Sequence, residues 1–137
     1  MKGILKVIGA LLALFVAIMV LQFIASETGE VVVVTTTDAE GASAETRLWV
    51  VDHDGSAWLR SGSPQAGWFQ RMQANPAITV ERGGQRFTAL IEPVPELRDV
   101  INAEMAEKYG WADAYIGMLF GRDDAVPIRL RTDAAAR

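Results

Sequence analysis

The first part of the chain is an uninterrupted apolar stretch. Residues 7–25 contain no charged side chain, and Gln22 is their one strongly polar residue. The apolar residues cover every face of a helix, whereas a helix packed on a soluble core keeps a polar stripe for solvent. Because roughly 20 apolar residues cross a bilayer as a helix, we predict that residues 1–26 form a membrane anchor that contacts lipid through residues 7–25.

A cleaved signal peptide is the alternative, since Lys2 and Lys6 form a positive segment ahead of the apolar run. Cleavage requires small residues in an A-x-A-like pattern. The end of the run instead reads Phe23-Ile24-Ala25-Ser26, with a bulky isoleucine where a small residue is preferred. The sequence therefore favours an uncleaved anchor.

The charges that flank the run predict its orientation. Lys2 and Lys6 precede it, Glu27 and Glu30 follow it, and the next basic residue is Arg47. The positive-inside rule places the N-terminus in the cytoplasm and the domain on the other side of a single-pass cell-membrane anchor. Because only two lysines determine this prediction, a domain on the cytoplasmic face is kept as the alternative.

The rest of the chain alternates short strand patterns with tight turns. Strands are predicted at 31–37, 46–53, 57–61, 77–82, 85–94 and 126–131, and helices at 67–74, 97–109 and 111–120. Asp54-Gly55 and Gly83-Gly84 are the turn signals of β-hairpins. Hairpin-linked strands are antiparallel, and closing such a sheet into a barrel removes its free edges. We therefore predict a mainly β (α+β) domain over 27–132, a small antiparallel barrel with two or three peripheral helices, followed by a frayed tail at 133–137.

Composition narrows the functional classes. The whole chain of 137 residues has 13 basic and 17 acidic residues, and without Lys2 and Lys6 the balance is 11 to 17, a net charge of −6. Such a charge argues against nucleic acid as a partner. The chain has no cysteine, which excludes disulfides and thiolate metal sites. The single histidine, His53, stands between Asp52 and Asp54, where a hairpin turn explains the same residues without a metal.

Candidate chemistry is concentrated between Trp58 and Arg71. Two arginines, Arg60 and Arg71, and the hydroxyls of Ser61 and Ser63 lie where a strand gives way to a helix. Helix N-terminal amides and guanidinium groups bind anions. Turn residues, a core tryptophan and two solvated arginines explain the same pattern without a ligand, and these residues alone favour that interpretation.

The stretch 46–80 resembles the flavin- and deazaflavin-binding split β-barrel superfamily, and it is most similar to the nitroreductases that use the deazaflavin F420. The family pattern is a strand, a Ser-x-Gly-Gly-like loop, a Trp-Tyr-x-x-Leu-x-x-Asn-Pro helix and a further strand. The corresponding segments here are Leu59-Arg60-Ser61-Gly62-Ser63, Trp68-Phe69-Gln70-Arg71-Met72-Gln73-Ala74-Asn75-Pro76 and Ile78-Thr79-Val80. The segment 109–113, Tyr-Gly-Trp-Ala-Asp, is also similar to the family.

This resemblance implies an oxidoreductase fold that holds F420 or FMN, with the cofactor phosphate against the loop after the third strand. Carried over by position, the cofactor-binding residues are Arg60, Ser61, Gly62, Ser63, Trp68 and Arg71. Two departures bear on this assignment. The loop before Trp68 is shorter than in the deazaflavin enzymes, and Gln65 or Ala66 stands where a lysine is usual.

Two hypotheses about function follow. In the first, the chain is a membrane-anchored reductase of a quinone-like or nitroaromatic small molecule, with the cofactor carrying the hydride and Tyr109 or Tyr115 as a proton donor or, more simply, a core residue. In the second, the barrel binds a ligand or partner without turnover. The shortened loop and the missing lysine favour the second. Because reduced cofactors of this type are supplied in the cytoplasm, either the predicted orientation is wrong or the barrel has lost the redox role. Split barrels of this superfamily are often dimers, so a homodimer is an open possibility.

Overall fold

Within residues 1–27 and 29–132, which the computed structural model describes, the chain forms four α-helices and seven β-strands. The helices are α1 (Lys2–Ser26), α2 (Gly67–Ala74), α3 (Arg98–Tyr109) and α4 (Trp111–Phe120). The strands are β1 (Val31–Thr37), β2 (Ser43–Trp49), β3 (Val51–His53), β4 (Ser56–Ser61), β5 (Ala77–Arg82), β6 (Gln85–Pro93) and β7 (Val126–Arg131). The tail predicted at 133–137 lies outside the described residues.

All the strands belong to one antiparallel sheet in the order β2-β1-β5-β6-β7-β4-β3. Its two edge strands, β2 and β3, are consecutive in the sequence and only Val50 separates them. The sheet therefore curls into a half-barrel whose edges the chain itself joins. This architecture confirms the predicted mainly β split barrel.

The prediction of one strand at 46–53, and hence of six strands, is wrong. The structure divides this segment, because β2 pairs with β1 whereas β3 pairs with β4 at the opposite edge of the sheet. Val50 and Val51 are both buried and belong to different hydrophobic clusters. The uniformly apolar pattern across the break gave no sign of a change of partner.

The predicted hairpin turns are confirmed by their backbone angles. Asp54 and Gly55 have φ of 52° and 78°, and Gly83 and Gly84 have φ of 57° and 81°. Two successive positive φ values characterise the type I′ turn, which matches the twist of the strands on either side. These turns set the β3–β4 and β5–β6 pairings.

The concave face of the sheet holds the larger hydrophobic core. Its buried members are Val32, Val34, Val50, Leu59, Phe69, Met72, Ile78, Val80, Ala89, Val126, Ile128 and Leu130. Phe69 and Met72 come from α2, three residues apart, so one face of this short helix covers the core. The position of α2 fixes the loop that precedes it, which carries most of the predicted cofactor residues.

A second core lies on the convex face, where α3 packs. Ile101, Met105 and Tyr109 recur at helical spacing and pack on Val51 and Trp58. Tyr109 stacks on Trp49, with ring centroids 4.2 Å apart and planes 9° apart. Thus α3 covers the region where β2 passes into β3.

The N-terminal helix α1 is apolar and long enough to cross a membrane, and it is almost wholly exposed. Only its last turns approach the domain, where they lie against α4. Ala25 is fully buried there, whereas Ile18 and Gln22 are half-buried.

Candidate functional site

The loop after β4 is held in shape by one of its own serines. Ser61 is fully buried, and its hydroxyl donates a hydrogen bond to the carbonyl of Ser63 at 2.6 Å. Gly62, between them, is exposed, and a Cβ placed there would meet no atom within 4 Å. The loop is therefore a fixed turn with open space beside Gly62.

Arg71 and Trp68 extend this loop from α2. The Arg71 Nε donates to the hydroxyl of Thr36 at 2.9 Å, and Nη1 lies 3.5 Å from the position that a Cβ on Gly67 would take. In the part of the chain that the structure describes, no carboxylate forms an ion pair with Arg71. Trp68 is half-buried against the concave core. Arg71 is thus a cation beside the loop whose charge no described carboxylate neutralises.

Arg60 is engaged on the other face of the sheet. Leu59 enters the concave core, so the side chain of Arg60 points to the convex side, toward α3 and α4. There Arg60 donates to Asp113 at 2.5 Å and to Asn102 at 3.2 Å, and its side chain is 6% exposed. The predicted cofactor residues therefore fall into two groups: Arg60 on the convex side, and the loop with α2 on the concave side.

Asp113 is the centre of this convex-side cluster. Its carboxylate also accepts a hydrogen bond from Arg122 at 2.8 Å, so two guanidinium groups share one buried acid. Burial and the nearby charge of Arg122 lower the pKa of Arg60. Arginine remains protonated even so, because its ordinary pKa is above 12. The cluster therefore carries a net positive charge.

A pocket of about 240 Å³ lies beside this cluster, between the end of α1, the sheet and α4. Its lining combines apolar side chains with three arginines: Ser26, Arg47, Leu48, Trp49, Arg60, Gly62, Met105, Ile116, Phe120 and Arg122. Among the described residues, the Nε of Arg122 is buried without a hydrogen-bond partner. Apolar walls with a few well-placed polar groups are typical of small-molecule sites.

Most of this pocket could not be inferred from the sequence. Arg47 and Trp49 on β2 are more than 70 residues from Arg122 in the chain, and no motif joins them. The segment 109–113, which resembles the reductases, ends at Asp113, but the sequence did not predict its pairing with Arg60. That pairing spans 53 residues and depends on the packing of α4 on the sheet. Arg60 and Gly62 are the predicted cofactor residues that also line the pocket.

The two tyrosines have partners in the fold. The Tyr109 hydroxyl accepts a hydrogen bond from the amide of Val50 at 3.0 Å and lies 2.6 Å from the carbonyl of Glu30, to which it donates. Burial raises the pKa of Tyr109, which opposes ionisation. The Tyr115 hydroxyl donates to the carbonyl of Ile18 at 3.1 Å. Both therefore act as structural residues in this conformation.

The residues around His53 are paired with other side chains. Asp52 accepts hydrogen bonds from Arg82 at 2.8 and 2.9 Å. His53 lies 3.6 Å from Glu104 on α3. Across residues 1–27 and 29–132, no three histidine, aspartate or glutamate side chains are grouped as a metal site would require.

No family model and no curated protein matches the chain. Solved structures do share its fold. An F420-H2-dependent reductase, FDR-A, matches with a TM-score of 0.57 at 24% identity, and the matched region covers 72% of this chain and 92% of the reductase chain. A putative pyridoxamine 5′-phosphate oxidase from Listeria innocua has a TM-score of 0.56 at 13% identity, covering 79% and 87%. A structure described as a domain-swapped dimer has a TM-score of 0.56 at 22% identity, covering 73% and 78%. At these identities the similarity shows a common split-barrel fold.

Proposed function

We propose that this protein is a membrane-anchored split-barrel reductase that uses a flavin or deazaflavin, F420 or FMN, to reduce a quinone-like or nitroaromatic small molecule. The observation that carries the proposal is the pocket at the end of α1, where three arginines meet an apolar lining. Neighbours in the same fold include an F420-H2-dependent reductase. A lipophilic oxidant that dissolves in the bilayer would find this pocket beside the anchor.

The loop and α2 fit one part of such a cofactor. Arg71 suits a phosphate group, because no carboxylate in the described residues pairs with it and its Nη1 lies close to Gly67 at the start of α2. A guanidinium binds phosphate through charge-assisted hydrogen bonds. Arg60 does not fit this role, because Asp113 and Asn102 already engage it. The cofactor, when bound, supplies hydride transfer.

The pocket suits the substrate of this reaction. Carbonyl or nitro oxygens accept hydrogen bonds from guanidinium groups. Arg122 lines the space with a buried Nε that has no partner among the described residues, whereas Arg47, which also lines it, donates to the Glu27 carboxylate at 2.8–3.0 Å. Trp49 and Phe120 offer aromatic surface to a flat ring. In the proposed reaction these side chains orient the substrate and balance the negative charge that develops on its oxygens as it accepts the hydride.

The anchor and its orientation belong to the same proposal. Helix α1 is the span, and the lysines ahead of it favour a domain outside the cytoplasm. A reductase supplied by a cytosolic cofactor requires the opposite orientation. A reporter fused after Arg137 separates the two, since cytoplasmic activity supports the reductase and external activity favours a barrel without turnover.

Cofactor titration of the full chain in detergent micelles tests the redox role. We expect saturable binding of F420 or FMN, measured by the change in cofactor fluorescence. Arg71→Ala should weaken binding about tenfold or more, because a hydrogen bond to a charged group contributes about 1.5–3 kcal/mol.

Arg86→Ala is the matched control for this titration. Arg86 is an exposed arginine on β6, 3.7 Å from Glu81 and away from the loop, so its removal should leave the affinity unchanged. If the full chain binds neither cofactor at high micromolar concentration, the reductase proposal is wrong.

A non-catalytic barrel that binds a ligand or partner is the second candidate. The ion pair between Arg60 and Asp113 favours it, because an arginine that the resemblance assigned to the cofactor is used inside the fold. In this case the pocket would bind a lipophilic anion in the absence of any cofactor. A homodimer is compatible with either function, and the domain-swapped neighbour supports it.

A further inference from the structure

Helix α4 presents an apolar surface to its surroundings. Its only charged residue is Asp113, which is buried against Arg60. The exposed side chains include Trp111 at 53%, Met118 at 75% and Phe120 at 65%. A surface of this kind marks a contact with a protein or a membrane.

The position of α4 along α1 distinguishes between these partners. The Tyr115 hydroxyl donates to the carbonyl of Ile18 at 3.1 Å, and α1 turns Ile18, Gln22 and Ala25 toward the domain at helical spacing. Helix α4 therefore runs beside the later turns of α1 and not beyond its end.

The length of the apolar run then sets the depth of α4. Residues 7–25 are uncharged, with Lys6 before them and Glu27 after them. Since roughly 20 residues are needed to cross the hydrocarbon core, the whole run is needed. Ile18 precedes Ala25 by seven residues, which at 1.5 Å per residue is about 10 Å along the axis. A helix that contacts Ile18 is therefore at the depth of the acyl chains.

We propose that α4 inserts into the leaflet from which the domain emerges, with lipid acyl chains against Trp111, Met118 and Phe120. This inference rests on the proposed anchor. Trp111, at the start of α4, is of a residue type enriched where membrane and water meet. The contact is continuous with that of α1, because the two helices pack side by side.

Insertion would also give the pocket an opening to the bilayer. Ile116 and Phe120 belong to α4 and line the pocket. With α4 in the leaflet, that wall of the pocket borders lipid. A lipophilic molecule could then reach the three arginines without leaving the membrane.

The cysteine-free chain allows a direct test with single labelled cysteines. Met118→Cys and Phe120→Cys report on α4, Leu12→Cys on the anchor, and Glu40→Cys, in the exposed β1–β2 loop, on water. Each full-length variant carries an environment-sensitive fluorophore in phosphatidylcholine–phosphatidylglycerol vesicles, with or without nitroxide-labelled lipid. We expect the labels at 118 and 120 to show blue-shifted emission and lipid-dependent quenching comparable with that at 12, and the label at 40 to show neither.

Each other outcome overturns the proposal in a distinguishable way. Labels at 118 and 120 in water, with the label at 12 quenched, contradict insertion of α4 and leave the anchor standing. If every label, including the one at 12, is in water, both the insertion of α4 and the membrane anchor are contradicted. A label at 118 that is shielded from water but not quenched by lipid, with unlabelled Met118→Cys chains forming disulfide-linked pairs on oxidation, assigns the surface to a second copy of the chain.

Discussion

Asp113 shows how much one residue contributes to this molecule. It lies on α4, its side chain is 9% exposed, and it pairs with Arg60 of β4 and with Arg122 beyond the helix. Two guanidinium groups are expensive to bury, and one carboxylate offsets part of that cost. The residue therefore joins α4 to the sheet and sets the positions of two arginines in the pocket.

Removing this charge should destabilise the fold strongly. We expect Asp113→Asn to lower the free energy of unfolding by about 3 kcal/mol or more, because it leaves two arginines without their acid in a buried site. Urea unfolding of the full chain in detergent micelles, followed by tryptophan fluorescence, measures the loss.

Glu92→Gln is the comparison for that loss. Glu92 lies 3.9 Å from Arg131, and both side chains are nearly half exposed. An exposed pair contributes at most about 1 kcal/mol. Equal losses for the two variants would contradict the role given to Asp113.

At the scale of elements, the passage from α1 to β1 is fitted closely to α3. Gly29 has φ of 77°, and a Cβ there would lie 3.1 Å from the Tyr109 ring. That ring has little freedom, because it stacks on Trp49 and its hydroxyl is bound to the backbone of Val50. The same tyrosine thus fixes both the entry to the sheet and the residue that joins β2 to β3.

Gly29→Ala should therefore be costlier than a substitution in an ordinary turn. We expect Gly41→Ala, at φ of 88° with no atom within 4 Å of the new Cβ, to show the backbone penalty alone, about 1–2 kcal/mol. Gly29→Ala adds displacement of the Tyr109 ring and should lose about 1 kcal/mol more. Thermal unfolding of both full-length variants tests this difference. Equal losses of stability would show that the Tyr109 ring moves aside without cost.

At the scale of the whole molecule, a charged network joins elements that are distant in the chain. Glu30 accepts hydrogen bonds from Arg82 at 2.9 Å and from Lys108 at 2.6 Å, and Arg82 also pairs with Asp52. The network therefore ties the start of β1 to β5, β3 and α3. These hydrogen bonds, from Arg82 first and Lys108 second, lower the pKa of Glu30 to about 2.

A lowered pKa makes the contribution of Glu30 depend on pH with a definite sign. The carboxylate stabilises the fold at pH values above the unfolded pKa of 4.5, and this stabilisation is lost as pH falls toward about 2. We expect the difference in unfolding free energy between the natural chain and Glu30→Gln to be largest above that unfolded value and to shrink through this window.

Glu40→Gln is the control for the pH series. Glu40 is exposed in the β1–β2 loop, and no ion pair in the described ranges includes it. Its effect should be small at every pH. A Glu30→Gln difference that stays constant down to pH 2 would contradict the lowered pKa.

The sequence by itself determined the local features of this protein. The uncharged run at 7–25 predicts a long apolar helix, β-branched runs such as 31–37 predict strands, and the Asp54-Gly55 and Gly83-Gly84 pairs predict the turns. These features follow from side-chain shape, periodicity and backbone freedom, which act over a few residues. The split-barrel class followed from them together with the resemblance at 46–80.

Only the tertiary structure decided which distant residues meet. The break between β2 and β3 at Val50 depends on which sheet edge each strand pairs with. The direction of Arg60, away from Arg71 and toward Asp113, depends on which helix packs on that face of the sheet. So does the contact of Tyr115 with Ile18, across 97 residues. Such contacts depend on the simultaneous burial of surfaces from several elements, and no short stretch of sequence encodes that burial.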